Sequence, residues 1–226
     1  MTHLWSQIAA AAGMPLDAER IQRLERYLAM MLEASRRVNL TAIRDIDAAR
    51  LHHIADSLTL LRFIPADAAL LADVGSGGGV PGIPLAIARP GLRVVLIEAT
   101  KKKARLLEQF IAQLGLEGVT VVPDRAETVA RGPLREKFDV AVARALARLD
   151  VLLEWCMPLV KPGGRVLAMK GPQVAGEIDA ARRLLPALGG NTLLVHDAGV
   201  PALAGHVIVE AVKDRSSGNR LPRKPK

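Results

Sequence analysis

Residues 73–82 read Asp-Val-Gly-Ser-Gly-Gly-Gly-Val-Pro-Gly and directly follow an apolar run at 68–72. This order predicts a strand, Leu70–Val74, that enters a glycine-rich loop and then a short helix beginning near Ile83. Glycines adopt positive φ angles and let a ligand press against bare backbone, while amides at a helix start point toward the ligand. The loop therefore predicts a site for a nucleotide-like molecule.

The glycine pattern fits two classes of nucleotide. Residues 77–82 satisfy the dinucleotide fingerprint G-x-G-x-x-G, with Glu98 at about the spacing of a ribose-binding carboxylate. The stretch also satisfies an acidic-x-G-x-G-x-G pattern, through Asp73, Gly75, Gly77 and Gly79. An ionised Asp73 would repel the diphosphate of a dinucleotide but suits the two cationic groups of S-adenosylmethionine. We therefore favour S-adenosylmethionine over a nicotinamide dinucleotide and over a purely structural turn, with these residues and Glu98 binding it.

The order of predicted elements supports the same choice. Helices are predicted at about 3–12, 17–38 and 45–64, then near 100–114, 149–160 and 175–185. Strands are predicted at 70–74, 93–97, 119–122, 138–143 and 165–169, and two more at 191–196 and 206–212. Alternating strands and helices indicate a parallel sheet covered on both faces, and the tight turn between the last two strands requires an antiparallel pair.

The expected fold class is therefore α/β, with a seven-stranded, mostly parallel sheet that contains one reversed strand. This is the Rossmann-like architecture of class I methyltransferases that use S-adenosylmethionine. We expect an N-terminal helical cap at residues 1–64, a methyltransferase core at 65–213 and a basic flexible tail at 214–226.

Charge is concentrated at the C-terminus. The formal net charge is +8, and residues 213–226 hold six basic residues and one acidic residue, which contribute +5 of it. A basic tail of this kind either solubilises the protein or binds nucleic acid, since cations near phosphates release counterions.

The single cysteine, Cys156, excludes a disulfide within the chain and a cysteine-rich zinc site, and we expect no metal. A reducing compartment follows as the expected location. No apolar run approaches the roughly 18 residues of a membrane span. We expect a cytoplasmic monomer without a membrane partner.

The residues after the fourth strand argue against two base-methylation chemistries. Enzymes that methylate exocyclic base nitrogens carry an Asn/Asp-Pro-Pro-aromatic tetrapeptide there, whereas this chain has Arg144-Ala145-Leu146. Methylation of a pyrimidine carbon needs a nucleophilic cysteine, usually after proline, and Cys156 has other neighbours. An acceptor that is already nucleophilic is then favoured, and guanine N7 is one, because its lone pair is free and catalysis needs mainly alignment and exclusion of water. Arg144, at the carboxyl end of a central strand, is the candidate catalytic residue.

Several short motifs between residues 35 and 175 form a joint pattern. They are Asn39-Leu40-Thr41, the segment 53–58, the segment 73–84, Lys102-Lys103, Arg125-Ala126-Glu127, Arg144-Ala145 and Lys170-Gly171. Together they resemble the glucose-inhibited division protein B family, whose members methylate guanine N7 in a hairpin loop of 16S ribosomal RNA. The resemblance implies that 16S ribosomal RNA, or a precursor of the small ribosomal subunit, is the partner.

The resemblance also implies roles for individual residues. Gly75 and Val80 would line the cofactor, Ala126 and Glu127 would flank its adenine, and Arg144 would reach the cofactor or the target. The candidate substrate-binding residues are His53, Lys102, Lys103, Lys170, Arg223 and Lys224.

Duller interpretations stay open for several of these residues. His53 and Asp56 could connect the helical cap to the sheet instead of contacting the substrate. The lysines at 101–103 could form a solvated helix face instead of a phosphate site. Two departures from the family pattern, His52 in place of an expected Arg and a shorter tail, weaken any claim about how RNA is held. The alternative functions are a nicotinamide-dependent oxidoreductase and an RNA-binding protein that keeps the fold without activity.

Overall fold

A twisted sheet forms the centre of the protein. The computed structural model describes residues 3–218 and 221–223, and within them seven strands pair in the order β3-β2-β1-β4-β5-β7-β6. The strands are β1 Leu70–Val74, β2 Arg93–Ile97, β3 Val119–Val122, β4 Phe138–Arg144, β5 Val160–Lys170, β6 Gly190–Asp197 and β7 Val207–Lys213. β7 runs antiparallel to both of its neighbours, and the other pairings are parallel. The predicted fold class is confirmed.

Helices precede the sheet and connect its strands. The first two are α1 His3–Ala12 and α2 Ala18–Ala34. Residues 46–62, here called the cap helix, join α3 Ile46–Ala49, a π-helical segment Arg50–Ala55, α4 Asp56–Leu58 and a 3-10 segment Thr59–Arg62. The later helices are α5 Gly82–Ala88, α6 Lys101–Leu114, α7 Ala126–Val129, α8 Leu149–Cys156 and α9 Ile178–Leu184.

The two faces of the sheet are buried by different helices. Successive strand residues point to opposite faces, so Leu71 joins one apolar core and Ala72 the other. The core on the Leu71 side includes Tyr27 from α2 and Leu58 from the cap helix, whereas the opposite core includes Leu152 from α8. The N-terminal helices therefore share a core with the sheet.

Several element ends differ from the sequence expectation, among them the end of α2 and the start of β5. α2 ends at Ala34, not near residue 38, and the hydroxyl of Ser35 donates to the Met31 carbonyl at 2.8 Å. β5 begins at Val160, five residues earlier than expected, and pairs there with Phe138 of β4 across an irregularity in register. Within the described residues, no helix has both the length and the apolar character needed to cross a membrane.

The described part of the C-terminal tail packs against the core. Arg223 donates from its guanidinium to both carboxylate oxygens of Glu154, at 2.6–3.0 Å. Arg135 donates to the Leu221 carbonyl at 2.7 Å. Residues 221–223 thus contact the rest of the protein through Arg135 and Glu154, and the expected flexibility of the tail stays a prediction. Lys224, also expected to bind substrate, lies outside the described residues.

Candidate active site

A cavity of about 490 Å³ opens at the carboxyl ends of the central strands. It lies beside the switch point between β1 and β4, where open α/β sheets bind ligands. Among the residues singled out in the sequence, its lining includes His53, Gly75, Gly77, Val80, Glu98, Lys103, Ala126, Glu127 and Arg144. We call it the cofactor cavity. Met31, Leu40 and Trp155 also line it, and no sequence pattern marked them for this role.

The glycine loop forms one wall of the cofactor cavity. Gly75, Gly77 and Gly79 have φ angles of 73°, 56° and 95°, which side chains other than glycine adopt at a cost. A Cβ added at Gly79 would lie 2.5 Å from the side chain of Ile83. The hydroxyl of Tyr27, on α2, donates to the Gly78 carbonyl at 2.8 Å and holds the outer side of the loop.

Two carboxylates hold the loop from beneath. Glu98 accepts from the Gly77 amide at 2.9 Å and from the Thr100 amide at 2.7 Å. Asp73 accepts from the Gly82 amide at 3.0 Å. Glu98 also lines the cavity, and a carboxylate bonded to two amides keeps further lone pairs for a ligand hydroxyl. Asp73 and Gly79 do not line the cavity but support its wall.

Asp73 is an unusual acid because it is completely buried. Burial raises its pKa to about 7, against the lowering effect of the Gly82 amide, of Ser76 and of Arg144. One of its oxygens, Oδ1, finds no hydrogen-bond partner among the described residues. The carboxyl group is therefore held in a state that is only partly ionised near neutral pH.

We expect Asp73 to make the stability of the free protein fall as pH rises toward 7. The pKa of this carboxyl group is about 7 in the folded protein and 3.8 in an unfolded chain. Between pH 3.8 and pH 7 the folded protein therefore binds one more proton than the unfolded chain. The free energy of unfolding should then drop by at most about 1.4 kcal/mol per pH unit and level off above pH 7. Asp73→Asn should remove this slope in urea unfolding between pH 5 and 8. Equal slopes in both proteins would refute the raised pKa.

A second cavity, of about 570 Å³, adjoins the first and is here called the acceptor cavity. The two cavities share His53, Arg144 and Ala145. The rest of the acceptor cavity includes His52 and Asp56 of the cap helix, Lys170 at the end of β5, and His206. The shared wall brings the predicted catalytic residue and one predicted substrate-binding residue together.

Arg144 connects the sheet to the cap helix. Its Nη2 donates to Nδ1 of His53 at 3.0 Å, and its Nη1 donates to the His52 carbonyl. The same nitrogen lies 3.8 Å from the carboxylate of Asp56, which also contacts Nδ1 of His206 at 3.3 Å. Burial lowers the pKa of Arg144, and the negative charge of Asp56 opposes that effect. His53 thus both ties the cap to the sheet and lines the two cavities.

The predicted cationic residues are placed differently from one another. Lys103 lines the cofactor cavity, whereas Lys102 is exposed and lines neither cavity. Lys170 lines the acceptor cavity and is paired with Glu177 at 2.8 Å. Arg223 lines neither cavity and is bound to Glu154.

The described residues offer neither a reactive cysteine nor a cluster of metal ligands. Burial raises the pKa of the Cys156 thiol, which keeps it protonated and unsuited to nucleophilic attack. Within residues 3–218 and 221–223, no cluster of three His, Cys, Asp or Glu side chains could hold a metal ion.

The fold is similar to that of solved methyltransferases. A precorrin-6y methyltransferase from Geobacter metallireducens superposes with a TM-score of 0.53 at 15% identity, over 71% of this chain and 88% of that one. TYW2 from M. jannaschii, solved in complex with AdoMet (S-adenosylmethionine), gives a TM-score of 0.54 at 19% identity, over 73% of this chain and 78% of that one. At these identities the likeness concerns the fold.

Sequence relatives carry more specific information. "Ribosomal RNA small subunit methyltransferase G" of Roseiflexus sp. is 43% identical over 216 residues, which are 95% of this chain and 92% of the relative. The family model GidB, described as rRNA small subunit methyltransferase G, matches residues 20–202. A match over so much of the chain, with a relative this similar, shows that the protein belongs to the GidB family.

Proposed function

We propose that the protein transfers a methyl group from S-adenosylmethionine to N7 of a guanine in 16S ribosomal RNA. The observation that carries the proposal is the pair of adjoining cavities in a chain of the GidB family. One cavity has a glycine wall suited to a nucleoside, and the other opens beside it through the shared wall of His53 and Arg144. A cofactor and a target base can then meet across a single boundary.

The residues of the cofactor cavity suit S-adenosylmethionine. The loop at 75–79 offers bare backbone to the ligand, Glu98 offers lone pairs to ribose hydroxyls, and Ala126 with Glu127 lies where the adenine would be held. When bound, the cofactor supplies a methyl group on a cationic sulfur. A nicotinamide dinucleotide fits less well, because its diphosphate would lie against a glycine loop beside Glu98, an acidic residue that lines the cavity.

The acceptor cavity suits a base that has been turned out of its stack. Guanine N7 has a free lone pair, so the protein needs no base to remove a proton. In the structure Nδ1 of His53 already faces a guanidinium N–H of Arg144, which fits a role in orientation rather than in proton transfer. The protein would then accelerate the reaction by aligning the two ligands and excluding water.

Exposed cations near the strand ends suit the phosphates of RNA. Lys102, Arg125 and Arg148 are exposed, and each follows the carboxyl end of one of β2, β3 and β4. Cations that contact phosphates displace counterions, so RNA binding should weaken with salt. We further propose that the protein acts as a monomer in the cytoplasm, on 16S ribosomal RNA or a precursor particle.

Transfer of labelled methyl groups tests the proposal. The full chain should methylate 16S ribosomal RNA or the small subunit, and digestion should release 7-methylguanosine. A perfect RNA duplex should be inert, because N7 faces a deep and narrow groove there and the base cannot be turned out cheaply. Methylation of the duplex, or another methylated nucleoside, would contradict the acceptor assignment.

Calorimetry separates the alternative functions. S-adenosylmethionine and S-adenosylhomocysteine should bind the free protein, whereas NAD should bind far more weakly. Tighter binding of NAD would favour the oxidoreductase. Binding of S-adenosylmethionine and RNA without methyl transfer would favour an inactive RNA-binding protein.

A further inference from the structure

Thr41 lies in the segment between α2 and the cap helix, where a sequence motif has no role so far. Its Oγ1 lies 2.9 Å from Nε2 of His53, on the opposite side of the imidazole from Arg144. The side chain of His53 is buried, with 5% of its surface exposed. Each ring nitrogen of this histidine therefore has one protein partner.

The partners determine which nitrogen carries the proton. A guanidinium group has only N–H donors, so Nδ1 of His53, 3.0 Å from Nη2 of Arg144, must be the acceptor. A neutral imidazole then carries its proton on Nε2, which points to Thr41. The hydroxyl oxygen of Thr41 has two lone pairs and can accept from Nε2–H and from the Ile43 amide, which is 3.1 Å away.

We infer that Thr41 is a positioning residue for the proposed methyl transfer: its hydroxyl holds His53 in the tautomer that accepts a hydrogen bond from Arg144. The inference rests on the proposed function only for its effect on rate. The Ile43 amide keeps the acceptor oxygen in place, and Arg44 donates to the Thr41 carbonyl at 2.6 Å.

The opposite tautomer would disturb the wall between the two cavities. With the proton on Nδ1, two N–H groups would face each other across 3.0 Å, and Arg144 would lose this contact with the cap helix. Protonation of His53 would have the same result. Burial opposes protonation and lowers the pKa of His53 to about 4, and the charge of Arg144 on β4 and the neighbouring His52 on the cap helix act in the same direction.

Nitrogen-15 NMR of the full chain without RNA or cofactor tests the tautomer. The wild-type spectrum at pH 7.5 should show His53 as a neutral ring with the proton on Nε2, and His53→Asn identifies its signals. Thr41→Val keeps the branched shape but removes the hydroxyl, and should weaken this preference, because Nε2–H loses its acceptor while Arg144 still donates to Nδ1. Thr41→Ser should restore it. Thr120→Val makes the same change at an exposed position on β3 and should leave the spectrum of His53 unchanged.

Kinetics test the effect on rate. Thr41→Val should lower kcat by about three- to tenfold with little change in the KM for RNA, as expected for one neutral hydrogen bond that positions another group. Thr41→Ser and Thr120→Val should stay within about twofold of the wild type.

Two results would overturn the inference. One is a wild-type His53 that is protonated at pH 7.5 or carries its proton on Nδ1, and this result needs no variant to fold. The other is a Thr41→Val protein with the wild-type tautomer and the wild-type kcat. A wild-type protein that methylates no RNA would instead contradict the proposed function. The two failures can be told apart, because the spectra are recorded without substrate and do not depend on methyl transfer.

Discussion

Replacing Arg144 with alanine is expected to lower kcat at saturating RNA by about a hundredfold. The change removes a partly buried guanidinium that donates to His52 and His53 and lies 3.8 Å from the carboxylate of Asp56. Loss of hydrogen bonds to a charged group costs about 1.5–3 kcal/mol, and each 1.4 kcal/mol corresponds to about a tenfold change in rate. N7 methylation leaves a cationic purine, so the benefit of Arg144 must come from orientation and not from stabilising positive charge.

A matched variant separates this effect from general loss of charge. Arg148→Ala removes the same group four residues later, where the side chain is 64% exposed and pairs with a nearby carboxylate, Asp150, at 3.4 Å. Arg148→Ala should keep the wild-type kcat at saturating RNA. In both variants the slope of RNA affinity against salt concentration should change by no more than the loss of one phosphate contact would cause. Wild-type kcat in Arg144→Ala would remove this residue from the catalytic site. Urea unfolding of both variants checks that the folded state is retained.

Gly82→Ala is expected to destabilise the protein by about 3 kcal/mol and to abolish most cofactor binding. A Cβ at this position would lie 2.5 Å from the side chain of Leu96 and 2.7 Å from the carboxylate of Asp73. Both neighbours are buried, so they have little room to move. The methyl group would also push apart the hydrogen bond between the Gly82 amide and Asp73, which starts α5 beneath the loop.

Urea unfolding and calorimetry measure these two effects. Gly91→Ala serves as the control, because a Cβ there meets no atom within 4 Å and its φ is not positive. The control should change the free energy of unfolding by no more than about 0.5 kcal/mol and leave cofactor affinity unchanged. If Gly82→Ala matched Gly91→Ala in both measurements, the close packing beneath the loop would be disproved.

The loop and the positions of the strands along the chain were predictable because their signals are local. Glycines at 75–79 and apolar runs on either side of them depend on neighbours along the chain, and the structure confirms the strands that they predict. β5 shows the limit of such signals. Its first residues, Val-Lys-Pro-Gly-Gly at 160–164, have the composition of a turn, yet they extend the strand because Phe138 of β4 offers a pairing partner there.

The direction of each side chain was harder to predict than its position. Asp73 was expected beneath the loop at the end of β1, among the residues that bind the cofactor. It lies beneath the loop and accepts from the Gly82 amide, but it does not line the cofactor cavity. Consecutive residues of a helix differ by about 100° in direction, which is why Lys103 lines the cofactor cavity and Lys102 does not.

Contacts between residues far apart in the chain could not be predicted from the sequence. The partner of Arg223 is Glu154, 69 residues earlier, and that of Arg135 is Leu221, 86 residues later. Charge composition alone describes such a tail as mobile. The ring of contacts around His53 is equally distant, since Arg144 follows it by 91 residues.

The wall shared by the two cavities ties the two ligands together thermodynamically. His53, Arg144 and Ala145 face both of them, so any shift of these residues when one ligand binds changes the surface that the other meets. By linkage, the factor by which cofactor changes the affinity for RNA equals the factor by which RNA changes the affinity for cofactor. Spent cofactor, which has lost its methyl group and its positive charge, would couple to RNA with a different factor. The ratio of the two factors is the change in RNA affinity that accompanies the conversion of the bound cofactor.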